Sequence, residues 1–440
     1  MAVWVSANRP DSNPMPNYRY GVYTVHLLQS ISYQHRSRTS FIEMLRFIHQ
    51  LDAVLDAAEN DPASWPVTLL GGIAAVEDYL TLRPQHLERI MAAVESARIF
   101  INPMYLPSSH GTHGLESTLR NLMFAQRGMA AFGHGMKVLY SGQLAELPMY
   151  LPQLLTEFGI TALIGPQSVL ARPLEAYLRG ADSTRIAWFG PILPDWHNLG
   201  AFLRQTVAPH CRSGHLLVPM IDSSDSLAVQ HMTRINRSNQ SIPIFQASAS
   251  DLPWFTQAAL RWISQDTVAQ IEASAEPYDP VGMQLATEIE PLLAWHTLCT
   301  DSSAWLPKAA HALTQGLWKR HFSGELGDLA EVGQSLRRML WVTEDVHASE
   351  LLVRADPPDF QITAVKLPED ADKHGFILRG WNISDSEMPV TLRPFRRFAH
   401  CSVMTAAEKP TGGKLAVESE AGEVAFQAAP RRLLTFWFHD

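Results

Sequence analysis

Side chains able to bind a polar ligand follow the first apolar run of this sequence. The stretch VHLLQSISYQH runs from apolar residues around His26 into Ser32, Gln34 and His35. These positions supply neutral hydrogen-bonding groups and one imidazole, and the stretch contains no carboxylate. Hydroxyls and amides bind other hydroxyls well, but they lack the charge that metal binding or nucleophilic attack by a carboxylate needs. The loop therefore predicts a binding pocket rather than a complete catalytic site.

Histidines and carboxylates occur in other predicted loops. The segment SSHGTHG offers His110 and His113 three residues apart, and Glu146, Asp222 and Asp225 are candidates for an acid/base pair. Retaining glycoside hydrolysis needs two carboxyls roughly 5 Å apart, and inverting hydrolysis needs about 6.5–9.5 Å. The alternative interpretation is that these are solvent-facing histidines and solvated loop acids. Spacing in the sequence does not decide between the two.

Aromatic residues suggest a surface for a sugar ring. Trp188, in IAWFGP, stands at the end of a predicted strand, where an indole ring in a pocket wall can stack on a ligand. Other tryptophans lie at helical spacing and are predicted core residues, namely Trp254, Trp262, Trp295, Trp305 and Trp318.

Composition narrows the class of protein. The net charge is 35 − 44 = −9 without a long basic run, so nucleic acid is not expected as a partner. No stretch approaches 18 consecutive apolar residues and the first residues lack a signal-peptide pattern, so we expect neither a membrane span nor secretion. The cysteines Cys211, Cys299 and Cys401 are scattered and odd in number, which favours reduced thiols and a cytoplasmic location.

The hydrophobic pattern divides the chain into three regions. Short apolar runs alternate with amphipathic helices up to about residue 275, which predicts a parallel sheet or barrel with its site in the loops after the strands. The predicted strands are YTVHLL, WPVTLLGG, RIFINPMY, MKVLYS, ITALIGP, STRIAWFG, HLLVPMI and SIPIFQAS, and Ser40 with Glu43 predicts a capping box at the start of the first helix. Helical spacing then dominates, and alternating patterns typical of antiparallel strands follow. We therefore predict an α/β domain over 1–275, a helical bundle over 276–350 and a β domain over 351–440.

Several segments together resemble the glycoside hydrolase family 38 α-mannosidases. YTVHLL is similar to that family's first strand, MKVLYSGQLAELPMYLPQLLTEFGI to its strand and nucleophile loop, and ITAVKLPEDADKHGFILRGWNISDSEMPVTL to its last β domain. VEDYLTLRPQHLERIMAAVESARIFINPMY resembles its E-D-Y-L helix and the following strand. GLESTLRNLMFAQRGMAAFG matches its G-E-S-L-x-R-N-L helix, retaining Glu116, Ser117, Arg120, Asn121 and Leu122.

The resemblance implies a fold of the α/β class. Its expected parts are a seven-stranded β/α barrel, a three-helix bundle and a small C-terminal antiparallel β-sandwich. Full-length members are roughly twice as long, so the large central β-sandwich of the family is expected to be absent.

The resemblance also implies a zinc ion held by His, Asp, Asp and His, with the second Asp as nucleophile. Aligned by position, the first-loop ligands fall on Ser32 and Gln34, the nucleophile on Gln143, and a further Asp on Leu70. The last ligand alone is matched, by His321 in KRHFSGELGDLAEV. We therefore expect zinc and the zinc-dependent retaining mechanism to be lost.

Three functions remain open at this point. The first is a pseudo-glycosidase that binds a saccharide, a glycosylated small molecule or a partner protein without hydrolysing it, in a pocket that includes His26, Ser32, Gln34, His35, His113, Gln143 and Trp188. The second is an active α-mannosidase-like glycosidase or another enzyme with rebuilt chemistry in the same pocket, using His110, His113, Glu146 or Asp222. The third is a structural subunit that docks a partner or a second copy of the chain.

Overall fold

A computed structural model of the chain describes most of its α/β, helical and β regions. The described residues are 24–33, 35, 40–61, 66–107, 114–133, 135–141, 147–165, 174–191, 202, 215–221, 245–247, 269–272, 279–299, 305–370, 372–417 and 422–440. Within these ranges, no helix combines the length and the apolar character needed to cross a bilayer.

The first parallel sheet is built around β1 and contains the predicted first strand. Its strand order is β3-β2-β1-β8, and β9 also pairs with β1. The bounds are β1 (Thr24–Ile31), β2 (Val67–Leu69), β3 (Ile99–Ile101), β8 (His215–Ile221) and β9 (Phe245–Ala247), with helices α1 (Phe41–Asn60), α2 (Gly72–Leu82) and α3 (Leu87–Glu95) in the connections. Helix α1 begins with the predicted capping box, in which Ser40 and Glu43 exchange hydrogen bonds.

The second sheet has the order β10-β6-β7-β5-β4 and is mixed, because β6 runs antiparallel to β7. Its strands are β4 (Val138–Tyr140), β5 (Ala162–Ile164), β6 (Glu175–Arg179), β7 (Arg185–Phe189) and β10 (Ala269–Glu272), with helices α4 (Leu115–Ala130) and α5 (Leu151–Glu157). Strands β6 and β10 were not among the strands predicted from the sequence. Both are short and include charged residues, so neither forms an apolar run.

Strands of both sheets surround one apolar core. Leu28 and Leu217 from the first sheet pack with Val138, Ile164 and Phe189 from the second. The facing edges of the two sheets are joined through a side chain, since Asn102 after β3 donates to the Tyr140 carbonyl of β4 at 2.9 Å and accepts from its N–H at 3.0 Å. The carboxyl ends of these parallel strands consequently meet around a shared interior.

The helical region packs directly onto the α/β region. It comprises α6 (Pro280–Gln284), a π-helical turn (Leu285–Ile289), α7 (Glu290–Cys299), α8 (Trp305–Phe322) and α9 (Ala330–Leu340). Leu285, Ile289, Trp318 and Phe322 belong to the same buried cluster as residues of β1–β3 and α1–α4. These helices therefore bury their apolar faces against the neighbouring region, which the helical spacing of the sequence did not indicate.

The last region consists of two antiparallel sheets. One has the order β11-β14-β17 and the other β12-β13-β18-β15-β16. The bounds are β11 (Val353–Asp356), β12 (Phe360–Lys366), β13 (Phe376–Asn382), β14 (Met388–Pro394), β15 (His400–Met404), β16 (Pro410–Leu415), β17 (Val424–Ala428) and β18 (Leu433–His439). Val353 and Leu392 of the smaller sheet pack with Phe376 and Phe436 of the larger. The predicted antiparallel β region is present, with β11 as an additional strand.

Candidate functional site

Many predicted site residues lie outside the described part of the chain. These are Gln34, His110, His113, Gln143, Glu146, Asp222 and Asp225. The backbone of His26 lies in β1, where it pairs with Leu217 of β8 and Ala247 of β9. The remaining predicted positions, Ser32, His35, Trp188 and His321, are described with their surroundings.

The loop after β1 is held against α2 by Tyr33. In the same loop, Ser32 is exposed and His35 is half-buried. The Tyr33 hydroxyl donates a hydrogen bond to the buried carboxylate of Asp78, and the ring covers Gly71 so closely that a Cβ there would approach within 2.3 Å. Glycine at 71 thus lets the first two strand-end loops come into contact.

Buried neutral polar side chains lie at the carboxyl ends of the first four strands. We call Ser30, Thr68, Asn102 and Ser141 the strand-end layer; all four are buried. Ser30 and Thr68 are paired in register, and Ser30 lies two residues beyond Leu28 of the shared apolar core, so they face the same interior. The layer therefore covers the carboxyl end of the apolar core with hydroxyl and amide groups.

The strand-end layer is electrically neutral. Its members carry no ionisable group, and burial raises the pKa of the nearby Tyr140 phenol to about 12, which keeps it protonated near neutral pH. The Asn102 amide has partners, because it joins β3 to β4 and also donates to the Leu70 carbonyl at 3.3 Å. The hydroxyls of Ser30, Thr68 and Ser141 are different, because none of them has a hydrogen-bond partner among the described residues.

Buried hydroxyls without partners are unusual and unfavourable. Most buried polar side-chain atoms in folded proteins bond to protein or to ordered water, and each exception needs an explanation. Three such hydroxyls on neighbouring strand ends are available to a polar ligand or to water. The described site can therefore offer hydrogen bonds from these three hydroxyls to a ligand.

His321 lies in a second group of polar residues, which we call the Asp279 cluster. Its Nε2 atom is 3.3 Å from the Asp279 carboxylate and 3.1 Å from the Ser117 hydroxyl. Asp279 also accepts hydrogen bonds from Ser117, from the Gly114 N–H at 3.1 Å and from the Gly282 N–H at 2.9 Å. This carboxylate thereby joins the amino-terminal ends of α4 and α6 to the end of α8.

The environment of Asp279 keeps it ionised. Burial alone would raise the pKa of its carboxyl, but hydrogen bonds from His321 and Ser117, the charge of His321 and the Gly282 N–H outweigh burial. The net result is a pKa well below the usual range for aspartate. The role of His321 in this cluster is therefore that of a partner for a buried anion.

The described donors do not fit a zinc ion. Protein zinc sites use at least three nitrogen, oxygen or sulfur ligands, whereas among the described residues Asp279 is the carboxylate paired with His321. No group of three histidine, cysteine or acidic side chains converges anywhere in the described ranges. Both oxygens of Asp279 are already hydrogen-bonded, so we derive no chemical step through zinc.

Trp188 does not face the shared interior in this structure. Its ring is fully buried and packs in a cluster with Leu163 of β5 and Leu154 of α5, while the adjacent Ala187 and Phe189 face the interior. Because neighbouring residues in a strand point to opposite faces, the ring lies on the helix side of the sheet. It therefore offers no face to a sugar, which corrects the predicted stacking role.

Helix α4 carries a buried ion-pair network that the sequence did not reveal. Arg120 bonds to Glu290 at 2.5 Å and to Glu369 at 2.8 Å, and Glu116 accepts from Arg379 at 2.9 Å. We call this set, completed by Lys366 and Glu408, the α4 junction. A charged residue within an apolar run, as in FILRGWN, was the available signal, but its partners are distant in sequence.

The fold defines an α/β protein whose α/β region is followed by helices and antiparallel sheets. The chain is similar in structure to an α-mannosidase from Enterococcus faecalis V583, with a TM-score of 0.52 and 14% identity over 95% of this chain and 54% of that one. A glycosyl hydrolase family 38 protein from Enterococcus faecalis has a TM-score of 0.48 and 15% identity, over the same shares of the two chains. The first of these structures confirms the expected resemblance to an α-mannosidase at the level of the fold.

The chain also has a relative in sequence. The chain is 26% identical over 166 residues to a protein of Halalkalibacterium halodurans named "Putative mannosylglycerate hydrolase", covering 35% of this chain and 18% of that protein. The chain therefore spans about half the length of the α-mannosidases and aligns with less than a fifth of this hydrolase. No protein-family model matches the chain.

Proposed function

We propose that this chain is a family 38-like pseudo-glycosidase that binds a saccharide or a glycosylated small molecule without zinc-dependent hydrolysis. The observation that carries the proposal is the strand-end layer, where the buried hydroxyls of Ser30, Thr68 and Ser141 have no partner within the described residues. Sugars present hydroxyl groups that both donate and accept, so neutral hydroxyls in a buried pocket are suitable partners.

The proposal includes an arrangement of the chain. A seven-stranded barrel would be formed by β1, β2, β3, β4, β5, β7 and β8. The shared interior core, the Asn102 link and the pairing of β8 with β1 support this arrangement. The barrel would occupy 1–275, the helical bundle 276–350 and the β-sandwich 351–440. Free thiols at Cys299 and Cys401 support a reducing compartment such as the cytoplasm.

In this mode of binding, the described residues orient a ligand rather than attack it. The unpartnered hydroxyls would donate to or accept from sugar hydroxyls, while Asn102 would keep the β3 and β4 ends at a fixed distance. The Tyr33 contact with Gly71 and Asp78 would fix the loop that carries Ser32 and His35. Retaining chemistry through Gln143 is not expected, because an amide carries no nucleophilic charge.

The test combines metal analysis with activity measurements. The purified protein is assayed for zinc before and after a chelator, and then with α-mannosides and mannosylglycerate for release of free sugar. We expect substoichiometric zinc, no sugar release and saturable saccharide binding. Release of sugar would instead favour an enzyme using His110, Glu146, Asp222 or Asp225, and saccharide-independent self-association would favour a structural subunit that forms homo-oligomers or docks a protein partner.

A further inference from the structure

A cavity lies at the amino-terminal ends of β4 and β5, whereas the strand-end layer lies at the carboxyl ends of its strands. Its volume is about 590 Å³, which is within the range of roughly 300–1,000 Å³ typical of small-molecule sites. Lys137, directly before β4, and Ile160, two residues before β5, line it, so the cavity opens at the amino-terminal edge of these strands. No member of the strand-end layer lines the cavity, although Pro103 of its wall directly follows Asn102 of that layer.

The wall of this cavity is mostly apolar. Side chains of α4 and of the segment after α5 form it, and several of them are buried. These apolar residues are Leu122, Met123, Met129, Met136, Phe158 and Ile160. Methionine side chains adapt readily to the shape of an apolar group. Such a wall suits the hydrocarbon or aromatic part of a ligand.

The rim of the cavity is basic. Lys137 and Lys409 are exposed, and neither side chain has an ion-pair or hydrogen-bond partner within the described part of the chain. The third cation, Arg127, is paired with Glu369. Two cationic side chains thus face the cavity without an acidic partner.

The acidic group at the cavity, Glu369, is already neutralised. It bonds to Arg120 at 2.8 Å and to Lys366 at 2.7 Å in addition to Arg127. Burial would raise the pKa of this carboxyl, but the charges of Lys366, Arg120 and Arg127 outweigh burial and hold it well below its usual range. Its negative charge is therefore shared among three cations and does not cancel the charge of the lysines.

The backbones that carry the two lysines are well anchored. The Lys137 carbonyl accepts from the Thr161 N–H at 2.8 Å, and the Lys409 carbonyl accepts from the Thr405 N–H at 2.9 Å. Glu408, next to Lys409, is buried and bonds to Lys366 at 2.6 Å and to Arg379. The lysines thus start from fixed positions on two different regions of the chain, which lowers the cost of closing them on a ligand.

We propose that this cavity binds a small amphipathic oxyanion, whose carboxylate or phosphate lies between Lys137 and Lys409 and whose apolar part contacts the methionine-rich wall. The inference does not rest on the proposed saccharide site, because it uses the opposite end of the strands and residues outside the strand-end layer.

Calorimetric titration of octanoate and octyl phosphate into the full chain tests this proposal, with octyl glucoside as the uncharged probe. We expect saturable binding of at least one anion, weakened by salt, and little binding of octyl glucoside. The double substitution Lys137→Gln with Lys409→Gln should weaken anion binding by about tenfold, as expected for the loss of two exposed charge pairs.

The matched control is Lys308→Gln, an exposed lysine on α8 that does not line the cavity. It should leave anion affinity unchanged. A preference for octanoate or for octyl phosphate distinguishes a carboxylate from a phosphate ligand. Equal binding of octyl glucoside, equal loss in the control, or no binding of either anion would overturn the proposal.

Discussion

The strand-end layer and the α4 junction both contain buried polar groups, but they differ in the charge and the hydrogen bonding of these groups. At the junction, Arg120 and Arg379 are fully buried, and carboxylates pair with both. In the strand-end layer, Ser30 and Thr68 are equally buried but neutral, and their hydroxyls have no partner among the described residues. Buried ion pairs thus join regions of the chain at the α4 junction, whereas the strand-end layer contains neutral hydroxyls that can still form hydrogen bonds.

This difference separates stability from binding. Removing one partner of a buried ion pair leaves an uncompensated charge, which is strongly unfavourable. Removing an unpartnered hydroxyl removes a group that already lacks a bond, which costs the fold little. Substitutions in the α4 junction should therefore lower the free energy of unfolding strongly. Substitutions in the strand-end layer should change it little.

The largest effect is expected for Arg120→Met. It leaves Glu290 and Glu369 without their shared cation, and the free energy of unfolding should fall by about 3–5 kcal/mol. Urea denaturation followed by tryptophan fluorescence measures this loss. The control is Arg354→Met, since Arg354 is exposed, and it should change stability by less than about 0.5 kcal/mol. Equal stability of the two variants would mean that the junction does not hold the regions together.

A smaller loss is expected for Asp279→Asn. An amide keeps the shape of the side chain but loses the charge that faces His321 and the two helix ends, so stability near pH 7 should fall by about 1–3 kcal/mol. Asp372→Asn, at an exposed position, is the matched control. A change no larger than that of the control would contradict the proposed role of the cluster.

The stability difference between wild type and Asp279→Asn depends on pH. Because the pKa of Asp279 is lowered by folding, its stabilisation is present above the unfolded pKa of about 3.9 and is lost as the pH falls towards the folded value. The stability difference between wild type and Asp279→Asn should be larger at pH 5 than below about pH 4. Thermal unfolding at several pH values measures it, and a difference that grew on acidification would have the wrong sign.

An intermediate effect is expected where the first two strand-end loops meet. Gly71→Ala places a Cβ within 2.3 Å of the Tyr33 ring, so overpacking should cost about 1–3 kcal/mol in denaturant unfolding. Gly316→Ala, in α8 with open space around its Cα, should instead raise stability by about 0.4–1 kcal/mol. If both alanines were tolerated alike, the close contact of Tyr33 with Gly71 would be refuted.

The smallest effect on folding is expected for Thr68→Val in the strand-end layer. This nearly isosteric change removes an unpartnered hydroxyl, so stability should change by less than about 0.5 kcal/mol or increase. Saccharide affinity should fall by about 3–10-fold, which corresponds to one neutral hydrogen bond. The exposed substitution Thr81→Val should alter neither quantity. Unchanged affinity together with lowered stability would make Thr68 a structural residue only.

Local patterns in the sequence predicted more of the fold than of the site. The Ser40 capping box and the first strand were recognised because their signals lie within a few adjacent residues. The contact of His321 with Asp279 joins residues 42 positions apart, and that of Arg120 with Glu290 joins residues 170 apart. Spacing rules do not reach such pairs.

The sequence also did not predict which face of a strand points to the interior. Trp188 was expected at the mouth of the site, but β7 places it on the helix side because Ala187 and Phe189 take the interior face. An apolar run buried on both faces has no alternation that tells one face from the other. The unpartnered hydroxyls of Ser30 and Thr68 were likewise recognisable only once the register of β1 and β2 was known.

The most direct test of the central claim is a calorimetric titration of α-mannosides and mannosylglycerate into chelator-treated protein, with free sugar assayed in the same sample. A pseudo-glycosidase should show saturable binding near one equivalent and leave the ligand intact at the end of the titration. Absence of binding, or sugar release that the chelator abolishes, would contradict it.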